Sequence, residues 1–401
     1  MDMKSGLLRE DRLKRLPPIL RGGFRPFFLG GAVWALIVVG LWVGALSGAV
    51  TLPTSFDPLA WHRHEMLFGY LGAVIAGFLM TAIPNWTGRL PIAGGRLAAL
   101  AGLWLAARLA VLFSAIVGPA VAMALDVGFL LVLFAVCGRE VVASKNRNLP
   151  VVIIILLFAA ASAFDHAEAL GAVDSVGLGW RAGFALVLML ISVIGGRIIP
   201  SFTRNWLSKQ GRKAGLPGQP DLFDKLCLAV TAVALAGWTV APDARSVALL
   251  LIVAGAVQAV RLGRWSGLRT LLDPLVLILH VSYAWMPIGL LLLGGSILAP
   301  VVPATSALHA LGAGAMASMT LAVMTRATLG HTGRALHADL PTIAIFALVT
   351  LGAAVRAGAP LLPLDYMRSI ELAGLMWGGA FLLFVLAYGP KLVGKRPDGH
   401  P

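Results

Sequence analysis

Apolar residues fall in long unbroken runs along this chain rather than at alternating or helical spacing. Twelve such runs stand out, at roughly 28–49, 62–83, 96–113, 119–140, 149–170, 178–200, 222–240, 244–262, 270–294, 304–328, 340–358 and 369–390. Each is close to the roughly 20 residues that carry a helix across a hydrocarbon core of about 30 Å. A soluble bundle would show a polar stripe on most helices, and these runs have none. The pattern predicts an all-α polytopic membrane protein of about twelve transmembrane helices.

Lys and Arg collect in alternate connections. They occupy the leading tail (Lys4, Arg9, Arg12, Lys14, Arg15), the segments near Arg89, Arg139, Arg204, Arg264 and Arg334, and the closing tail (Lys391, Lys395, Arg396). The intervening loops are nearly free of them. By the positive-inside rule both termini are cytoplasmic. The expected organisation is a basic tail (1–27), a single twelve-helix domain (28–390) and a short cytoplasmic tail (391–401).

The longest expected loop, 201–221, is basic and ends in Pro217-Gly218-Gln219-Pro220, dividing the chain into two halves of six spans. A transporter of two six-helix halves has the same outline. An internal repeat adds more. With His64 set on His309, Gly69 falls on Gly314, Ala82 on Ala327, and Thr87-Gly88-Arg89 on Thr332-Gly333-Arg334, without a gap. Trp180 to Pro200 repeats the His64-to-Pro84 spacing, and Arg108 near the end of the third span is matched by Arg356 near the end of the eleventh. A four-helix unit used three times, over about 28–140, 149–262 and 270–390, would produce this pattern.

Composition changes the picture little. The 401 residues are 59% apolar and 12% charged, with mean hydropathy +0.88. The net charge of +14 lies in loops and reads as topology, so a nucleic-acid partner is not expected. Cys137 and Cys227 are in no metal or haem-attachment spacing and read as buried thiols, although a disulfide stays open. The first apolar run is too long for a cleaved leader and lacks a small-residue cleavage site.

Candidate chemistry centres on Trp61-His62-Arg63-His64-Glu65-Met66-Leu67-Phe68-Gly69-Tyr70, at the outer mouth of the second span. Charge at the edge of a membrane helix is costly and usually functional. Of eight histidines, the topology puts His62, His64, His166 and His309 at outer helix ends and His280 nearer mid-membrane. Imidazole is a common ligand for copper, zinc and iron, and Glu65 or Asp165 could orient the rings. Two histidines at one depth can clamp a haem iron from both faces, which makes His64 and His309 candidate axial ligands. His62 and His64 point about 200° apart on a helix, so only one faces that site. Arg108, Arg181 and Arg356 could hold haem carboxylates, or could simply reach for the interface. Asp126 could pair with one of them. An ordinary interfacial role is the competing reading for His62 and His166. Met316, Met319 and Met324 read as packing, and no nucleotide-binding or nucleophile-elbow pattern occurs.

Several segments resemble the NnrS family of bacterial membrane proteins. They are Gly23-Phe24-Arg25-Pro26-Phe27-Phe28, Trp61 to Tyr70, Pro84-Asn85-Trp86-Thr87-Gly88, Gly196 to Asn205 and His309 to Arg334. The resemblance implies a protein of the bacterial inner membrane that contains haem (expected as haem b) and copper and is linked to nitric oxide metabolism, denitrification and nitrosative stress. Haem-copper oxidases and nitric oxide reductases offer a more distant architectural likeness. They too use twelve helices and place haem ligands on the second and tenth. This chain departs from them in having no histidine on its sixth or seventh span.

Two functions of different class follow. The first is a redox protein that binds nitric oxide and reduces or otherwise detoxifies it. His64 and His309 would be haem ligands, His62, His166 and His280 would serve copper, and Glu65, Glu168 and Tyr283 would pass protons. With no soluble redox domain attached, electrons would come from membrane quinol or a small carrier. The second is a transporter for haem, a metal or a small anion, with the histidines as a transit site. A sensor or accessory protein without turnover is a third outline. The expected partners are nitric oxide and membrane lipid.

Overall fold

A computed structural model describes residues 13–299, 301–363 and 365–400. Lys4, Arg9 and Arg12 of the basic tail lie outside the described residues. Twelve helices are long and apolar enough to cross a membrane, and no strand occurs among the described residues. In chain order they are α1 (Phe24–Leu46), α2 (Pro58–Thr87), α3 (Gly95–Leu112), α4 (Pro119–Ala143), α5 (Leu149–Ala169), α6 (Leu178–Lys209), α7 (Leu222–Val240), α8 (Arg245–Gly263), α9 (Pro274–Leu298), α10 (Ala304–His331), α11 (Leu340–Gly358) and α12 (Tyr366–Val393). The multi-pass, all-helical reading therefore holds, helix for helix.

The boundaries differ in one informative place. α6 runs through Pro200 to Lys209, so residues 201–209, expected in a loop, are helical. Proline removes one N–H and usually stops a soluble helix, but packed membrane helices tolerate it. α2, α9 and α12 likewise contain Pro84, Pro287 and Pro390.

Helix starts follow local rules. Asp57 accepts from the Leu59 and Ala60 amides ahead of Pro58, and Asp273 does the same for Leu275 and Val276 ahead of Pro274. Asp339 caps α11 through the Thr342 amide, with Pro341 in the first turn. Each pairs an N-cap carboxylate with a proline whose missing N–H costs nothing there. Asp221 and Asp224 form a capping box at α7. The hydrogen bond from Arg264 holds the Asp221 carboxyl well below the usual carboxylate range.

The described chain divides into two compact units. The first comprises residues up to Gly183 with Ala327–Ala335 and Phe381 onward; the second comprises Phe184–Arg326 and Leu336–Ala380. α2 and α10 share an unusual local geometry. Directly after His64 the helix widens into a π segment, Glu65–Leu71, and directly after His309 into another, Ala310–Ser318. Such segments are rare and concentrate at functional sites. The aligned Gly88 and Gly333 both follow in left-handed backbone, each with φ +68°.

Candidate metal centre

Four helices of the first unit converge on one buried cluster. α2 contributes His64 and Glu65, α3 Arg108, α4 Asp126, and α5 Ser162, Asp165 and His166. Their spacing of three and four residues sets the α5 trio on one helix face. His64, Glu65, Arg108 and Asp126 are all 0% exposed, His166 is 1% and Asp165 5%.

Asp126 is the hub. Its Oδ2 lies 3.1 Å from His64 Nε2 and 3.2 Å from His166 Nε2, and it accepts from Ser162 Oγ at 2.7 Å. Its Oδ1 accepts from Arg108 Nη2. Arg108 Nη1 also donates to both oxygens of Glu65, at 2.8 Å each, and Trp34 Nε1 donates to Glu65 Oε2 at 2.5 Å. On the other side of its ring, His64 Nδ1 is 2.8 Å from Asp165 Oδ2. Phe56 and Phe68 each lie 5.0 Å from the His64 ring, and Phe56 lies 5.2 Å from His166. They wall the cluster with apolar surface.

Two features of this arrangement point to a metal. A neutral imidazole has one N–H to give, yet His64 has a carboxylate oxygen at each nitrogen. Arg108 faces Glu65 and Asp126, while Arg63 acts on Asp165, a member of the cluster already shared with His64. With Glu65, Asp126 and Asp165 all ionised, the cluster therefore keeps one uncompensated negative charge when its imidazoles are neutral. Buried charge of that size must be neutralised, by added protons or by a divalent cation. The geometry favours the cation: one ligand atom from each of His64, Asp126 and His166 falls within 4.8 Å of the others. Two of the separations, 3.1 and 3.2 Å, approach the roughly 3.3 Å edge of a tetrahedron with bonds of about 2.0–2.1 Å. The donor set of two imidazoles and a carboxylate suits copper, zinc or iron.

Of the expected ligands in the first unit, His64 and His166 meet here and His62 does not. His62 stacks on Trp42 of α1, with ring centroids 4.8 Å apart, in keeping with its opposite direction from His64. His280 corrects an expectation. It lies six residues into α9, about 9 Å from the start of the helix, at the opposite end from the connection to α10 and His309. There its Nε2 is 2.8 Å from Thr203 Oγ1, while its buried Nδ1 has no hydrogen bond. The reason is register: α9 begins at Pro274 and runs 25 residues, so His280 belongs to its first third.

The expected proton carriers and carboxylate anchors also separate. Tyr283 donates to Gln258 Oε1 at 2.7 Å and accepts from Arg261 at 3.1 Å, inside the second unit. Glu168 accepts from Ser175 Oγ and the Gly177 amide, bracing the loop after α5, and Arg181 donates to Val176 O in the same loop. Arg108 is spent on carboxylates of the protein itself. Of the expected proton carriers in the first unit, Glu65 stays beside the cluster. Asp126 and Asp165 act as full members rather than helpers, and Ser162 and Trp34 join them as donors to Asp126 and Glu65. The i, i+3, i+4 spacing of Ser162, Asp165 and His166 is a signal that was legible.

His309, in the second unit, is set up differently. Its Nδ1 lies 2.7 Å from Thr305 O, which fixes the N–H on that nitrogen and leaves Nε2 as a lone pair. Arg356 acts on it electrostatically and has a buried Nη1 without a hydrogen bond. Ala310 stands where α2 has Glu65, so the carboxylate of the first unit is missing here.

Fold and cluster together define a multi-pass helical membrane protein with a closed histidine-carboxylate centre. The chain belongs to the NnrS family, whose model, described as NnrS protein, matches residues 18–396. No curated protein matches it.

Proposed function

We propose that this protein is a haem- and copper-containing oxidoreductase of the bacterial inner membrane that binds nitric oxide and removes it by reduction, relieving nitrosative stress. The observation that carries the reading is the convergence of His64 Nε2, His166 Nε2 and Asp126 Oδ2 in a buried, negatively charged pocket. Family membership supports the link to nitric oxide. The alternation of basic segments supports both termini being cytoplasmic.

Copper held by His64, His166 and Asp126 would supply a redox-active Lewis acid for a small gas. Asp165 accepts the Nδ1 proton of His64 and so turns the Nε2 lone pair towards the metal position. Arg108, bridging Glu65 and Asp126, keeps the Asp126 carboxylate fixed. Phe56 and Phe68 keep water out, which strengthens every electrostatic interaction inside. Glu65, fixed beside the centre by Arg108 and Trp34, would relay protons to it.

With the Nε2 of His64 given to the copper site, the haem role would fall to His309. Its Nε2 lone pair would hold haem iron, and the unpaired Nη1 of Arg356 would hold a haem carboxylate. Membrane quinol or a small carrier would supply electrons.

The test is iron and copper analysis of detergent-purified protein, with optical spectra before and after reduction and addition of nitric oxide. Copper lost in His166→Ala but kept in His62→Ala, with nitric oxide consumed under reducing conditions, is the expected result. Folded protein that carries neither metal after cofactor-replete expression would overturn it and leave transport as the reading.

A further inference from the structure

A cavity of about 780 Å³ opens in the first unit at the far end of α2 from the metal cluster. The helix from His64 to Gly88 spans about 36 Å, so the two sites are separate. The cavity is formed by the turn from α2 into α3, by Leu13 and Leu16 ahead of α1, and by the last turn of α4. Its charged lining is Arg89, Arg96, Arg139 and Glu140.

Charge is unbalanced there. Arg139 donates to Glu140 Oε1 through Nε and Nη2, at 2.9 and 2.7 Å, and Arg89 donates to Oε2. One carboxylate thus serves two guanidiniums, and Arg96 has no hydrogen bond or ion pair among the described residues. The lining carries a net charge of +2. The Arg89 and Arg139 side chains remain 48% and 67% exposed, so both keep donors free for a ligand. Against them stands an apolar wall of Leu13, Leu16, Leu90, Pro91 and Ile92.

We propose that this cavity binds an anionic phospholipid, with the phosphodiester held by Arg96 and Arg139 and the first part of an acyl chain laid along Leu16 and Leu90. Guanidinium matches phosphate oxygens in a two-pronged geometry. Volume selects lipid over a free anion: the space is of the size that takes a drug-sized ligand, many times one phosphate. Position agrees, because the loop joins two membrane-length helices at the level where headgroups lie. Basic pockets between membrane helices are a recurrent lipid-binding arrangement.

The experiment is native mass spectrometry of the delipidated, detergent-solubilised protein with phosphatidylglycerol, phosphatidylcholine or inorganic phosphate as probe. Phosphatidylglycerol should bind roughly tenfold or more tightly than phosphatidylcholine, with the preference falling as salt rises. Arg96→Ala, which leaves the Glu140 pairs intact, should lose most of that preference, and Arg96→Ala/Arg139→Ala nearly all of it. Arg368→Ala, on the exposed start of α12, should keep it. Equal binding of the two lipids, or a preference untouched in Arg96→Ala, overturns the proposal. Inorganic phosphate binding as tightly as phosphatidylglycerol would assign the cavity to a free anion and overturn it equally.

Discussion

His64 and His166 stand edge to face with ring centroids 4.6 Å apart, and one oxygen of Asp126 lies within 3.2 Å of a ring nitrogen of each. They come from helices three spans apart in the chain, α2 and α5. The aligned position in the second unit has the histidine and the arginine, His309 and Arg356, without the carboxylates. The first position is rich in carboxylate oxygens, and the second leaves an imidazole lone pair and one guanidinium nitrogen, Arg356 Nη1, without a hydrogen bond.

That contrast would separate the two proposed cofactors. His166→Ala and Asp126→Asn are expected to lower copper and spare haem, whereas His309→Ala should abolish the haem bands and spare copper. Metal analysis and optical spectra on the same preparations check it. Joint loss of both metals in every variant would contradict separate sites.

Among the described residues Arg108 is the only guanidinium bonded to Glu65 and Asp126, and all three are fully buried. Arg108→Met is expected to cost about 3–5 kcal/mol, because two carboxylates are left without their partner. Adding Glu65→Gln should return part of the loss. Thermal unfolding of the purified protein in detergent measures both.

Gly69 sits inside the π segment, where a Cβ would collide with Glu65 Oε2 and Arg108 Nη1. Gly69→Ala should destabilise by about 1–3 kcal/mol and perturb the metal spectrum. Gly102→Ala on α3 meets nothing within 4 Å. It should be neutral or stabilising by about 0.5–1 kcal/mol. The pair isolates steric conflict from helix propensity.

Gly88 and Gly333, both at φ +68°, close their helices with backbone that costs other residues about 1–2 kcal/mol. Gly88→Ala, with open space around it, should show only that penalty. At Gly333 a Cβ would also strike the Asp398 carboxylate, which is paired with Arg396. Gly333→Ala should therefore also loosen the closing segment, seen as faster proteolysis near Lys395.

The length of each apolar run, the Asp-Pro helix starts and the placement of Lys and Arg are local properties, and they carry the class of protein without any tertiary information. So is the His64/His309 alignment, which anticipates two helices of the same unusual geometry. Tertiary packing alone decided which of the chemistry-bearing residues meet. Asp126 reads in sequence as one stray acid in an apolar run, and only the packing of α2, α4 and α5 makes it the centre of the cluster. Packing also set His280 against Thr203 and committed both nitrogens of His64. Periodicity records which face of a helix is apolar, while a metal site needs atoms from several helices within a few ångströms. That convergence depends on helix register and tilt, which neighbouring helices set.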